Sequence, residues 1–209
     1  MDTQTQFYEA IQINDIQNVK SLLKDKKVNP SEENNWAIQL ASQNGHVDIV
    51  KLLLKDERVD PSDNNWIIRF ASENGHLDIV QSLLKDKRVD PSYRNNSSIQ
   101  FASENGHFNI VKLLLKDKRV DPSDNNNWAI KLASQNGHVD ILKLLLKDNR
   151  VDPSDNNNWA IKLASQNGHV DIVNLLWQDQ RIKNSLENDD KELYNKLIKN
   201  DIKDKIEDF

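Results

Sequence analysis

Five near-copies of one phrase, L/F-A-S-Q/E-N-G-H-x-D/N-I-V/L, recur along the chain, with glycines at Gly45, Gly75, Gly106, Gly137 and Gly168, 30 or 31 residues apart. A fixed period of that size specifies a stack of small supersecondary units, each burying its apolar face against its neighbours, rather than one globular core. The period also absorbs most of the reactive chemistry. All five histidines (His46, His76, His107, His138 and His169) fill the same slot of the repeat, and the chain has no cysteine.

The copy from Asn127 to Ser154 serves as a template. Trp128, Ala129, Ile130, Leu132 and Ala133 fall at helical spacing, and Asn136-Gly137 stops that helix, because glycine takes the left-handed C′ conformation without a Cβ penalty. His138 and Val139 open a second helix, with Asp140 in the first turn, where unpaired N–H groups favour a carboxylate. Ile141, Leu142, Leu144, Leu145 and Leu146 make that helix apolar over most of its circumference, so it must be covered by other helices. Lys147 to Arg150 form a polar exit, Val151-Asp152-Pro153 is extended, and Ser154 to Asn157 are turn residues. Helices of two to three turns are marginal alone in water, so stability is expected to come from nearest neighbours.

These residues resemble ankyrin repeats. The stretch Leu40 to Leu54, L-A-S-Q-N-G-H-V-D-I-V-K-L-L-L, is similar to the second half of that family's signature. The first half departs from it: Trp36-Ala37-Ile38-Gln39, Trp66-Ile67-Ile68-Arg69 and Trp128-Ala129-Ile130-Lys131 stand where the family has Thr-Pro-Leu-His. An R-V-D-P-S pattern such as Arg119 to Ser123 replaces the usual Gly-Ala-Asp, and the unit is shorter than the family's ~33 residues. The resemblance implies an all-α solenoid of stacked helix-turn-helix units with short loops and little or no strand. Residues 1–33 read as a degenerate capping repeat, with Asn14 in the place of Gly45; residues 34–187 are five repeats, and residues 188–209 a capping helix. That helix is expected from Asp189 to Glu207, capped by Asp189 with Glu192, its apolar positions being Leu193, Tyr194, Leu197, Ile198, Ile202 and Ile206.

Composition narrows the function classes. Without cysteine there are no disulfides, thiolate nucleophiles or thiolate zinc sites, which suits a reducing compartment. Lys plus Arg number 28 against 33 Asp plus Glu, a net charge of −5 that argues against a nucleic-acid surface. No apolar run approaches the ~18 residues that span a bilayer, and no secretory signal is visible, so a soluble, intracellular and cytoplasmic protein is expected. Metal binding is not expected: stacked helices lie about 8–10 Å apart, whereas zinc needs its nitrogens at roughly 2.0–2.1 Å. The histidines read instead as backbone partners at the helix turn. No histidine is left over to activate a serine, and N-G-H holds a single glycine rather than a phosphate loop, so neither an enzyme nor a cofactor is expected.

The resemblance implies that a protein partner binds along the concave face, and the candidate residues are those on that face or those that break the repeat. Trp36, Trp66, Trp128 and Trp159 form one column, interrupted by Ser97. It reads either as groove-filling packing or as partner contact. A second column holds Gln39, Arg69, Gln100, Lys131 and Lys162, and a third Gln43, Glu73, Glu104, Gln135 and Gln166; either is a solvated polar face or a binding face. In the fourth unit Tyr93-Arg94 replace Asp-Asn, Ser97-Ser98 replace Trp-Ala, and Asn109 replaces an aspartate. Tyr and Arg, with Trp, dominate interface energetics, although drift within a duplicated array produces the same break. The candidate set is therefore Trp66, Arg69, Glu73, Tyr93, Arg94, Ser97, Ser98, Gln100, Glu104, Trp128 and Lys131. The expected role is a monomeric adaptor, scaffold or inhibitor; a self-associating array is the rival reading. The asparagine-rich copies are also similar to ankyrin families of amoebae and their large viruses, which implies an adaptor for a ubiquitin ligase as a third.

Overall fold

The computed structural model describes residues 2–62 and 65–207, the last eight of these as backbone only. The side chains of Ile202 and Ile206 therefore lie outside the described residues. Among the described residues there are fourteen helices and no strand. They fall into two compact units, residues 1–121 and 122–209.

The first unit holds four helix pairs: α1 (Thr3–Gln12) with α2 (Ile16–Leu22), α3 (Glu32–Gln43) with α4 (Val47–Leu53), α5 (Trp66–Glu73) with α6 (Leu77–Lys85), and α7 (Tyr93–Glu104) with α8 (Phe108–Leu114). First helices pack on first helices and second helices on second helices. Ile49, Val50 and Leu53 of α4 and Ile79, Val80 and Leu83 of α6 are fully buried, as is the valine of each exit loop (Val28, Val59, Val89). The second unit repeats the scheme with α9 (Asp124–Gln135), α10 (Val139–Leu145), α11 (Asp155–Gln166) and α12 (Val170–Trp177). It ends in two helices, α13 (Gln180–Asp189) and α14 (Lys191–Glu207), where the spacing predicts one. Asp179 caps α13 by accepting the Arg181 N–H at 2.9 Å. Asp190, not Asp189, caps α14 through the Leu193 N–H at 3.1 Å. Trp177 is buried against Tyr194, with ring centroids 5.6 Å apart.

Within each unit the repeat joints are built from four devices. The glycines of N-G-H are left-handed, and Asn14 takes the same conformation (φ 58°) in the first pair. Within each unit the histidine after the glycine reaches back one repeat: Nε2–H donates to a main-chain carbonyl at Gln43 from His76, at Glu73 from His107 and at Gln135 from His169, each at 2.9 Å. The exit arginine grips the aspartate two residues before it with both ends of its fork, as in Arg88–Asp86 at 2.6 and 3.0 Å, while Nη1 donates to Val59 O of the preceding repeat at 3.0 Å. Arg58, Arg119 and Arg181 do the same with Val28, Val89 and Val151.

The fourth device explains the asparagine runs. Glu33-Asn34-Asn35, Arg94-Asn95-Asn96, Asn125 to Asn127 and Asn156 to Asn158 are each three consecutive left-handed residues, with φ between 51° and 62°. Left-handed backbone costs an ordinary L-residue roughly 1–2 kcal/mol, and asparagine tolerates it best after glycine. The regular helix begins only after this turn. The third asparagine is buried and accepts the N–H of an aspartate in the next repeat: Asp60 to Asn35 at 3.0 Å, Asp90 to Asn65 at 2.7 Å, Asp152 to Asn127 at 2.8 Å. In the first pair Gln4 takes over that task, exchanging hydrogen bonds with the Asn29 backbone at 2.9 and 3.0 Å.

The arginine forks make the fold acid-sensitive. Hydrogen bonds from the paired arginines hold Asp56, Asp86, Asp117, Asp148 and Asp179 below the ordinary carboxylate value of 3.8. A folded-state value below the unfolded one stabilises above the ordinary pKa, and that stability is lost as pH falls through the folded value. The urea midpoint is expected to be flat above about pH 5 and to fall below about pH 4, less steeply in Arg88→Met. A midpoint insensitive to acid would contradict the role given to the forks.

Candidate functional site

The first unit gathers its irregular residues into one cluster. Trp66, Arg69, Phe70 and Glu73 come from α5, and Tyr93, Arg94 and Phe101 from α7. The Arg69 guanidinium lies 4.2 Å from the Phe101 ring centroid, 4.8 Å from Trp66 and 5.2 Å from Phe70, and pairs with Glu73 at 3.1 Å. Arg94 sits 4.2 Å from the Trp66 centroid and 5.8 Å from that of Tyr93, whose ring meets Trp66 edge-on at 6.5 Å. Each cation–ring contact is worth about 0.5–1 kcal/mol at such exposure, so several together favour this arrangement of the side chains. Trp66, Arg69, Phe70, Tyr93 and Phe101 are half-buried, and Arg94 is exposed.

This arrangement accounts for the break in the repeat. In the second unit Trp128 and Trp159 touch edge-on at 5.8 Å. Trp66 has Ser97 at the corresponding position of the next copy and meets Tyr93 instead. The Ser97 hydroxyl turns inward and donates to Tyr93 O at 3.1 Å. The substitutions at positions 93 and 97 thus compensate each other. They leave an exposed guanidinium where the copies of the second unit carry Asn125 and Asn156 and the α3 turn carries Glu33. Phe70 and Phe101 complete the cluster although sequence reading passed over them; the signal was available, since the other three copies carry leucine in that slot.

The remaining candidates fall elsewhere. Ser97, Ser98 and Gln100 are buried, at 6, 1 and 7 % exposure, and offer no surface to a partner. Gln100 and Gln39 fold back to donate to Asn95 O and Asn34 O, propping the left-handed turn. Their column is therefore a structural prop at these copies rather than a solvated face. Glu104 is half-buried. Trp128 and Lys131 lie in the second unit, where Lys131 is 2 % exposed, its Nζ 5.7 Å from the Trp128 ring and 5.5 Å from that of Trp159. Nζ has no hydrogen-bond acceptor, and burial holds the amine below the ordinary lysine value. The Trp column as a whole is amphipathic: Trp36 and Trp159 are 37 and 40 % exposed.

Lys131 occupies the slot in which Gln39 props its turn, so Lys131→Gln would restore a donor to the Asn126 carbonyl and remove a desolvated cation. The change is expected to stabilise the chain by about 1–2 kcal/mol, because an unsatisfied buried polar group outweighs two weak cation–ring contacts. A lower urea midpoint in the variant would show the lysine to be better placed than the glutamine.

Among the described residues no group of histidines and carboxylates is arranged to hold a metal ion, and no helix is long and apolar enough to cross a membrane. No curated protein matches the chain. A family model for ankyrin repeats matches three times, over residues 7–95, 68–157 and 99–188. The helix pairs, the left-handed glycine turns and these overlapping matches together place the chain in the ankyrin repeat family.

Proposed function

We propose that this chain is a non-catalytic adaptor, scaffold or inhibitor that holds one protein partner, as a monomer, on the face carrying the first helices. Ankyrin repeats are in general protein–protein interaction modules, and the family is typically non-catalytic. The observation that supports this location is the Trp66–Arg69–Tyr93–Arg94 cluster. It joins the three residue types that dominate interface energetics at the copy that departs from the repeat. The recurring phrase itself is occupied in holding the joints, and the net charge of −5 disfavours nucleic acid. A setting inside the cell agrees with the absence of cysteine.

Affinity capture with the wild-type chain, the Tyr93→Ala/Arg94→Ala double variant and a Lys112→Ala control on α8 tests this reading. A partner retained by wild type and control but lost by the double variant supports it. Identical capture by all three, or a chain that self-associates and recovers nothing, would sink it.

A further inference from the structure

Resting on that reading, we propose that the Arg94–Trp66–Tyr93 patch receives an aspartate or glutamate side chain of the protein partner. Seven arginines occur in the chain. Arg58, Arg88, Arg119, Arg150 and Arg181 are forked onto the aspartate two residues before them, and Arg69 is paired with Glu73. Of the seven, Arg94 is the one with no described carboxylate within ion-pair distance, and it is exposed. Its guanidinium lies over the Trp66 ring, 4.2 Å from the centroid, and a guanidinium can grip a carboxylate by two parallel hydrogen bonds.

Two further observations point the same way. Arg94 is held at φ 51° in the slot filled by Glu33, Asn125 and Asn156 in other turns, so the left-handed turn does not dictate the residue there and only this copy places a cation in it. The second cation of the patch, Arg69, is already neutralised by Glu73. One unfilled positive charge suits a carboxylate; a doubly charged phosphate would call for two. Trp66 and Tyr93 supply half-buried aromatic walls for the apolar residues flanking the acid.

The test is selection of random 12-residue peptides on the full chain, followed by fluorescence polarisation with the winning peptide. Selected peptides are expected to be enriched in Asp and Glu. Arg94→Asn, which installs the residue that the turns of the second unit carry at this slot and so keeps the turn, should weaken binding by about 10-fold. Replacing the peptide's acid by its amide should cost the same in wild type and nothing further in Arg94→Asn. Peptides without acidic residues, or equal affinity for both chains, would overturn the assignment. So would tighter Arg94-dependent binding when the acid is replaced by phosphoserine, and so would an empty selection. In each case loss of the captured partner in the double variant still judges the wider reading separately.

Discussion

Gly75→Ala is expected to destabilise the chain by about 2–5 kcal/mol, and the same change at Gly168 by only about 1–2 kcal/mol. Both glycines are left-handed, at φ 80° and 75°, so both variants bear the backbone penalty of a side chain in that region. They differ in what the new methyl group meets. At Gly75 a Cβ would fall 2.7 Å from Cε1 and 3.0 Å from Nδ1 of His107. That ring cannot swing away freely, because its Nε2–H is committed to Glu73 O at 2.9 Å. At Gly168 there is nothing within 4 Å. Urea denaturation of the two variants side by side separates conformational from steric cost. Equal losses would mean that the glycine–histidine stack contributes nothing to the joint.

Leu145→Ala should cost about 2–5 kcal/mol, the range for deleting a buried leucine whose surroundings relax only partly. Leu145 is fully buried at the end of α10, a seven-residue helix that packs on α9 and α12. A helix of that length has almost no stability of its own. The leucine therefore supports the pairing of two repeats as well as its own helix. Leu146, one residue on, is only half-buried, and Leu146→Ala should cost distinctly less. Chemical denaturation followed by circular dichroism would show the difference; similar losses would argue that α10 is held by something other than its leucine face.

The helix pairs were legible because their signals are local: apolar spacing within one helix and a glycine that only a left-handed turn requires. The histidine's partner was legible in kind, a backbone group, but not in place, since His76 bonds a residue thirty-three positions earlier. The asparagine runs read only as turns. Three consecutive left-handed residues lie outside single-residue propensity, and Glu33 and Arg94 share the conformation without being asparagine. Arg88 and its equivalents read as a polar exit because a forked arginine and a solvated one have the same sequence. Gln39 and Gln100 looked like surface residues for the same reason: polarity says nothing about whether a side chain turns back onto its own backbone. The candidate site was half legible. Tyr93 and Arg94 stood out by departing from the repeat and Trp66 as a member of the tryptophan column, whereas Ser97 and Ser98, which depart just as clearly, are buried.

The departures matter because the regular residues are already engaged. Glycine, histidine, exit arginine and third asparagine each hold a joint, leaving the cluster around Trp66 as the place where aromatic and cationic groups reach solvent in a combination unlike the other copies. Hydroxyl-radical footprinting of the chain with and without its captured partner tests this most directly. Protection of Trp66 and Tyr93, with Trp36 and Trp159 oxidised as in the free chain, is the predicted result. Protection of Trp36 or Trp159 with Trp66 and Tyr93 unchanged would contradict it.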